Sequence, residues 1–304
     1  MLGEIFMELV NVLEINYKNY GKCLKVTNNI VEIIVTIEYG PRIIKYGYVN
    51  GKNHFAEGVK NKISTLHGDY YIIGGHRFWH IPENKDRTYI PDNKPVEYES
   101  MFNGVRLIQK IEKWTQVQKI IEITFEENSP KVKILHKIIS LNAFDINIAI
   151  AGITSMDKGG IQIVPIEKRK EGTVPNRSIV FWPYSNIKDP RVYFGEKYVA
   201  MKVCENTVEN FKMGFNTNIS YALYYNENEL FIKEFEKIQD KNLNYPDMGC
   251  SYESFIGNDY IEMQTNSPIY VLETNKCIEH VEIWNLYKDV NLDFIETFID
   301  SYKA

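Results

Sequence analysis

The chain has 304 residues, with 44% hydrophobic and 25% charged residues, the balance of a folded globular protein rather than a disordered one. Its 35 Lys and Arg against 40 Asp and Glu leave a formal net charge of −5, which argues against a general nucleic-acid binder. Four cysteines lacking C-x-x-C or zinc-ligand spacing, and no apolar run near the ~20 residues of a membrane span, point to free thiols, no metal, no membrane and a soluble, cytoplasmic protein.

Tyr, Phe, Ile and Val are abundant and Ala is scarce, a composition that suits pleated, half-buried surfaces. The N-terminal 22 residues carry Glu4, Glu8 and Glu14 and lack the basic start and apolar core of a signal peptide. Residues 20–50 read as a strand meander. Its strands cover 23–26, 30–37 and 43–49, and Asn50-Gly51 is a hairpin signal. Residues 52–73 are less regular.

The next ten residues, Gly74 to Glu83, are the densest in site chemistry. They hold His76, Arg77, Trp79, His80 and Glu83 behind two glycines. Imidazoles move protons near neutral pH, a guanidinium offers a fork of donors, and an indole offers a flat apolar face. On residue types alone, a decorated strand-turn and a binding site weigh equally.

Residues 84–100 read as a polar loop, long enough to suggest function. The β pattern returns at 104–109, 116–126, 131–139, 144–154 and 160–166. A charged loop follows at 167–178, where a solvated turn is expected. Further strands are expected near 178–182, 198–204, 219–225, 229–236, 259–263, 268–272 and 278–287, with a turn-rich stretch at 240–251. Leu292, Ile295, Phe298, Ile299 and Tyr302 recur at helical spacing behind Asn291, which predicts a C-terminal helix over about 291–303. With no linker and no repeat, the chain reads as all-β: a single large antiparallel β-sandwich domain over 1–304 with that one helix.

Phosphate-cradling, dinucleotide, serine-hydrolase and zinc-protease motifs are absent, and no cofactor is implied. Carboxylates, histidines and aromatics remain. Glu262 lies in a strand-like run. If Ile261 and Met263 face the core, Glu262 faces the other way with Tyr260 and Gln264. A partly buried carboxylate there suits a general base, although an exposed strand Glu is the commoner case. His280 and Glu282 alternate before Trp284 on what reads as a half-exposed face. His136 reads as a structural or surface histidine. Trp182 is equally a core residue or a stacking platform.

Three blocks together resemble the galactose-mutarotase-like superfamily, and within it a branch of aldose-epimerase-like proteins. They are Gly-Gly-His-Arg-Phe-Trp at 74–79 with Pro82-Glu83, Tyr-Pro-Asp-Met-Gly at 245–249 with Glu253, and Glu282-x-Trp284-x-Leu286. The resemblance spans roughly residues 25–288. It implies a twisted β-supersandwich with a saccharide-binding concave cleft. It also implies a Glu that takes the anomeric proton and a His that protonates the ring oxygen. By position Glu262 is the base and Arg77 holds a hydroxyl. The family's mid-chain histidine is replaced here by Gly152-Ile153-Thr154-Ser155-Met156, so the acid falls to His76, with His80 as the other source. Arg77, Trp79, His80, Glu83, Trp182, Asp247 and Glu253 are then the substrate-binding candidates. The expected function is an aldose 1-epimerase-like sugar isomerase. The alternatives are a non-catalytic carbohydrate-binding protein, or a lyase or hydrolase on the same fold.

Overall fold

The computed structural model describes residues 9–204, 209–240 and 242–302. Within them the strands are β1 (Asn11–Asn16), β2 (Lys22–Thr27), β3 (Val31–Thr36), β4 (Ile43–Tyr48), β5 (Glu57–Thr65), β6 (Gly68–Ile81), β7 (Glu97–Met101), β8 (Gly104–Ile108), β9 (Val117–Phe125), β10 (Val132–Ser140) and β11 (Ile146–Asp157). They continue with β12 (Ile161–Pro165), β13 (Ile179–Phe181), β14 (Val192–Phe194), β15 (Tyr198–Lys202), β16 (Phe211–Phe215), β17 (Tyr221–Asn226), β18 (Glu229–Phe235), β19 (Tyr252–Ile256), β20 (Tyr260–Asn266), β21 (Tyr270–Leu272) and β22 (Cys277–Tyr287).

They form two antiparallel sheets. The larger has 12 strands and runs β1-β2-β3-β4-β6-β11-β20-β19-β16-β13, with β5 added to β6 and β21 to β11. The smaller has 10 strands and runs β14-β15-β12-β17-β18-β22-β10-β9-β8-β7. Alternate side chains from the facing sides fill the space between them, as the period of two requires. Ile121, Ile134, Phe231 and Trp284 of the smaller sheet meet Ile43, Tyr46, Ile150 and Met263 of the larger in one core. An aromatic knot sits at its centre. Trp284 lies 5.3 Å from Phe55, 5.6 Å from Tyr46 and 6.0 Å from Phe231, centroid to centroid. Each such buried ring contributes about 1.5–3 kcal/mol.

β1, β7, β14, β16 and β19 form where no strand was expected, β7 within the expected loop 84–100, and three further details also differ. The irregular stretch 52–73 contains β5 and the start of the 14-residue β6. Its sequence hides this because the hairpin is half-exposed at a sheet margin, so its apolar residues do not alternate cleanly. The polar loop 84–100 contains a four-residue helix, α1 (Lys85–Thr88), capped by the Asn84 side chain. The C-terminal helix is shorter than the apolar spacing suggests. A 3₁₀ turn at Leu292–Phe294 precedes seven helical residues, Ile295–Ser301, and residues 303–304 lie outside the described ones. That helix packs Ile295, Phe298 and Ile299 against the outer side of the smaller sheet.

Candidate functional site

The central strands of the larger sheet divide their side chains between two sides, and the site follows from that division. On β20, Ile261 and Met263 are buried in the core while Glu262 and Gln264 emerge on the other side, the alternation expected from sequence. The register carries the pattern across the sheet. Arg77 of β6 lies opposite Ile153 of β11, Ile153 opposite Gln264 of β20, Gln264 opposite Glu253 of β19, and Glu253 opposite Gly214 of β16. Lys212, two residues before Gly214, shares its side.

Two ion pairs hold this outer face. Arg77 Nη2 donates to Glu262 Oε1 at 2.8 Å, and its Nη1 donates to Ser155 Oγ at 3.2 Å. Ser155 Oγ donates to the same carboxylate oxygen at 3.1 Å. Both donors converge on Oε1, no side chain among the described residues bonds Oε2, and 11% of the Glu262 side chain is exposed. Glu262 is therefore anchored through one oxygen and leaves the other without a side-chain partner among the described residues. The second pair is Lys212 Nζ with Glu253 Oε2 at 2.6 Å. Glu253 Oε1 accepts from Asn266 Nδ2 at 2.7 Å, and Asn266 Oδ1 accepts from Gln264 Nε2 at 2.9 Å.

Burial pushes the Glu253 carboxyl up to about 7; Lys212 opposes that and Asp247 adds to it. Burial works to lower the Lys212 ammonium, but Glu253 beside it and Glu83 more distantly raise it overall. Burial raises the Tyr184 hydroxyl, Lys212 opposes that, and Glu83, Glu253 and Glu262 add to it. Glu83, Tyr184, Lys212, Glu253 and Glu262 are thus near enough to feel one another's charge.

Two aromatic residues behave differently. Lys212 Nζ lies 4.3 Å from the Trp182 ring centroid, and Trp182 remains half-buried. Gly214 makes room for it, because a Cβ there would come within 2.4 Å of Cys250 Sγ and 3.2 Å of the indole. Trp182 is therefore a platform on the sheet surface and not a core residue. Trp79 is 93% covered. Tyr70 and Tyr89 pack on it, and the Arg77 guanidinium lies 4.6 Å over its ring, so it backs Arg77 rather than meeting a ligand. Glu83, from the end of the same segment, accepts from Tyr89 Oη at 2.5 Å. The Tyr245-Pro-Asp-Met-Gly block forms a turn in which Asp247 and Met248 take left-handed φ of 50° and 63°, an unusual conformation for such residues. This turn brings the Asp247 charge near Glu253.

The histidines lie elsewhere, and here the structure corrects the expectation. His76 precedes Arg77 on β6 and so points between the sheets, fully buried. Its Nε2 is 2.7 Å from His136 Nε2 and its Nδ1 is 2.9 Å from Thr154 Oγ1. His136 Nδ1 donates to the His280 carbonyl at 3.1 Å, so His136 Nε2 accepts from His76 Nε2, and His76 Nδ1 accepts from Thr154. Lys233 Nζ donates to Thr154 Oγ1, Gly152 O and Met263 O at 2.9–3.0 Å and pairs with Glu282 Oε1 at 3.0 Å. Thr265 and Trp284 also donate to Glu282. His280 and Glu282, expected on a half-exposed face, are thus fully interior.

Burial pulls the His76, His136 and His280 imidazoles down, the last to about 3, and keeps them neutral. Burial opposes charge on Glu282 too, yet Lys233 holds its carboxyl well below the usual range. His76, His136 and Glu282 have ligand atoms within 4.8 Å of one another. They form a poor cation site, since each facing nitrogen is already bonded and the Lys233 ammonium neutralises the carboxylate. His80 also faces inward, 3.6 Å from Glu112. It lines a separate hollow of about 430 Å³ with His67, Arg87 and Trp114. Neither His76 nor His80 reaches the face that carries Glu262, because both alternate with Arg77 and Trp79 on one strand.

The structure therefore brings Arg77, Glu83, Trp182, Asp247, Glu253 and Glu262 to one face, places Trp79 beneath it, and leaves His76 and His80 behind it. Sequence reading placed Gln264 beside Glu262 but missed Lys212, Tyr184 and Asn266 as parts of the same face. Asn266 was reachable by extending the same alternation one step beyond Gln264. Lys212 carries no local signal.

No protein-family model and no curated protein matches the chain. Solved structures do. A TPR-domain-containing protein from Parabacteroides distasonis superposes with a TM-score of 0.64 at 13% identity over 93% of this chain, which spans only about half (49%) of that protein's length. A candidate aldose 1-epimerase from Klebsiella pneumoniae gives 0.61 at 11% identity, covering 93% of this chain and 84% of that one. A galactose mutarotase-like protein from Lactobacillus casei gives 0.54 at 7% identity, covering 87% and 100%. The chain has the galactose-mutarotase-like all-β fold.

Proposed function

We propose that the chain binds a saccharide on the outer face of its larger sheet. One observation carries this reading. Arg77, Glu262, Lys212, Glu253, Gln264 and Trp182, drawn from four strands and the residue after a fifth, gather fixed charged and amide groups beside a half-buried indole, with Glu262 and Lys212 still partly exposed. Sugars are recognised by such sets, in which hydroxyls meet charged and amide groups and the apolar ring face meets an aromatic. The fold shared with candidate aldose 1-epimerases supports the same ligand class.

Titrating a panel of mono- and oligosaccharides while monitoring ligand signals by saturation-transfer NMR tests the proposal. Transfer to at least one sugar, lost in Glu262→Gln and Trp182→Ala, is expected. A folded protein that gives no transfer across the panel refutes it.

The free oxygen of Glu262 favours a second reading, aldose 1-epimerase-like isomerisation. Glu262 takes the anomeric hydroxyl proton, the C1–ring oxygen bond breaks, and a proton reaches the ring oxygen before closure on the other face. With the imidazoles inside the sandwich, this reading leaves the ring-oxygen proton to a group other than histidine. Anomer exchange measured by NMR distinguishes the readings. Rates equal to buffer for a sugar that binds leave the protein a binder.

A further inference from the structure

The charge arrangement of this face bears on which saccharides it admits, an inference that rests on the binding reading above. Two cations lie on it, and each is already paired with a carboxylate: Arg77 with Glu262 at 2.8 Å and Lys212 with Glu253 at 2.6 Å. Arg77, Glu262 and Glu253 are buried, and Lys212 keeps 13% of its side chain exposed. Glu83 and Asp247 add two more carboxylates at the margins, close enough to act on Lys212 and Glu253 respectively. A further cation, Lys237, donates to Asn216 Oδ1 at 3.1 Å and lies 4.3 Å over the Tyr245 ring. Burial lowers its affinity for a proton and Glu167 partly restores it.

A phosphate or carboxylate entering this face must draw a guanidinium or ammonium away from its partner. That strands Glu262 or Glu253 as an uncompensated charge in a low-dielectric setting, which is costly. Otherwise the anion faces Glu262 Oε2, Glu83 and Asp247 directly and meets like charge. A hydroxyl meets neither obstacle, since it donates to Glu262 Oε2 and accepts from the outer side of Lys212. An amino group gains further from the free carboxylate oxygens.

We propose that this face selects uncharged and amino-bearing sugars and rejects sugar phosphates and uronates. The selection is built by committing both cations to carboxylates before the ligand arrives, a repulsive element as much as an attractive one.

Matched binding measurements test this. Glucose, galactose, glucosamine, galactosamine, glucose 6-phosphate and glucuronate are titrated by calorimetry at pH 7.5 and low salt. Each amino sugar is expected to bind at least as tightly as its parent, and each anionic sugar at least about tenfold more weakly. Replacing both outlying carboxylates (Glu83→Gln with Asp247→Asn) is expected to narrow the gap, as is raising the salt. An anionic sugar that binds more tightly than its parent overturns the selection while leaving saccharide binding in place. Failure of all six, together with the wider panel, overturns the binding reading itself.

Discussion

Strands β6, β11 and β20 build two charged clusters, one on each side of the same sheet. On the inner side, Glu282 accepts from Lys233, Thr265 and Trp284, and the imidazoles pass one chain of hydrogen bonds from Thr154 to the His280 carbonyl. On the outer side, Glu262 receives both its donors on one oxygen and leaves the other open. Adjacent residues, His76 and Arg77 or Thr154 and Ser155, serve opposite clusters. The closed cluster locks two sheets together; the open one has bonding capacity left for a ligand. Perturbed, buried, charged groups are thus poor site markers by themselves, and unspent hydrogen-bonding capacity is the better one.

The sharpest way to break this comparison is to remove Lys233. Lys233→Met strands the Glu282 charge in the core, and a loss of about 3–5 kcal/mol in denaturant unfolding is expected. Gly152→Ala attacks the same cluster sterically, because a Cβ would come within 2.2 Å of Glu282 Oε1. Its expected cost in the same assay is about 1–3 kcal/mol.

The outer cluster should respond in the opposite sense. Glu262→Gln keeps an acceptor for Arg77 and Ser155 but leaves the buried guanidinium without its counter-charge, so a loss of about 1–3 kcal/mol, below that of Lys233→Met, is expected, while saccharide transfer signals disappear. Trp182→Ala should leave unfolding within about 1 kcal/mol of wild type and weaken binding about tenfold. A large stability loss in either variant with binding intact would make the outer cluster a structural one.

A pH titration separates Glu253 from the rest of the outer cluster. The folded-state pKa of Glu253 is raised from 4.5 to about 7, so the folded state holds more protons than the unfolded state in that interval. Stability from this group is therefore greatest at low pH and is lost as pH rises from about 4.5 to 7. Thermal unfolding of Glu253→Gln should lack that decline, and a parallel decline in the variant would assign it to other groups.

Much of this was legible in the chain. Alternation around Glu262 placed it opposite Ile261 and Met263, and the turn signals and β-rich composition gave two-sheet all-β architecture. The same alternation, applied to residues 76–80, separates His76 and His80 from Arg77; grouping those residues as one motif concealed it. Lys212 was not legible. It sits between Phe211 and Met213 in a short strand, and its partner Glu253 is joined to it only by sheet pairing. Likewise the inner network depends on Lys233, Glu282 and His136 meeting across two sheets, which local periodicity does not encode.

The central claim is that a saccharide docks on the outer face of the larger sheet. Chemical-shift mapping on isotopically labelled protein during a sugar titration tests it most directly. The account predicts shifts at the Trp182 indole N–H and the Gln264 and Asn266 side-chain amides, with the His76 and His136 ring signals unmoved. Shifts confined to the hollow around His67, His80 and Trp114, or to the buried imidazoles, would contradict it.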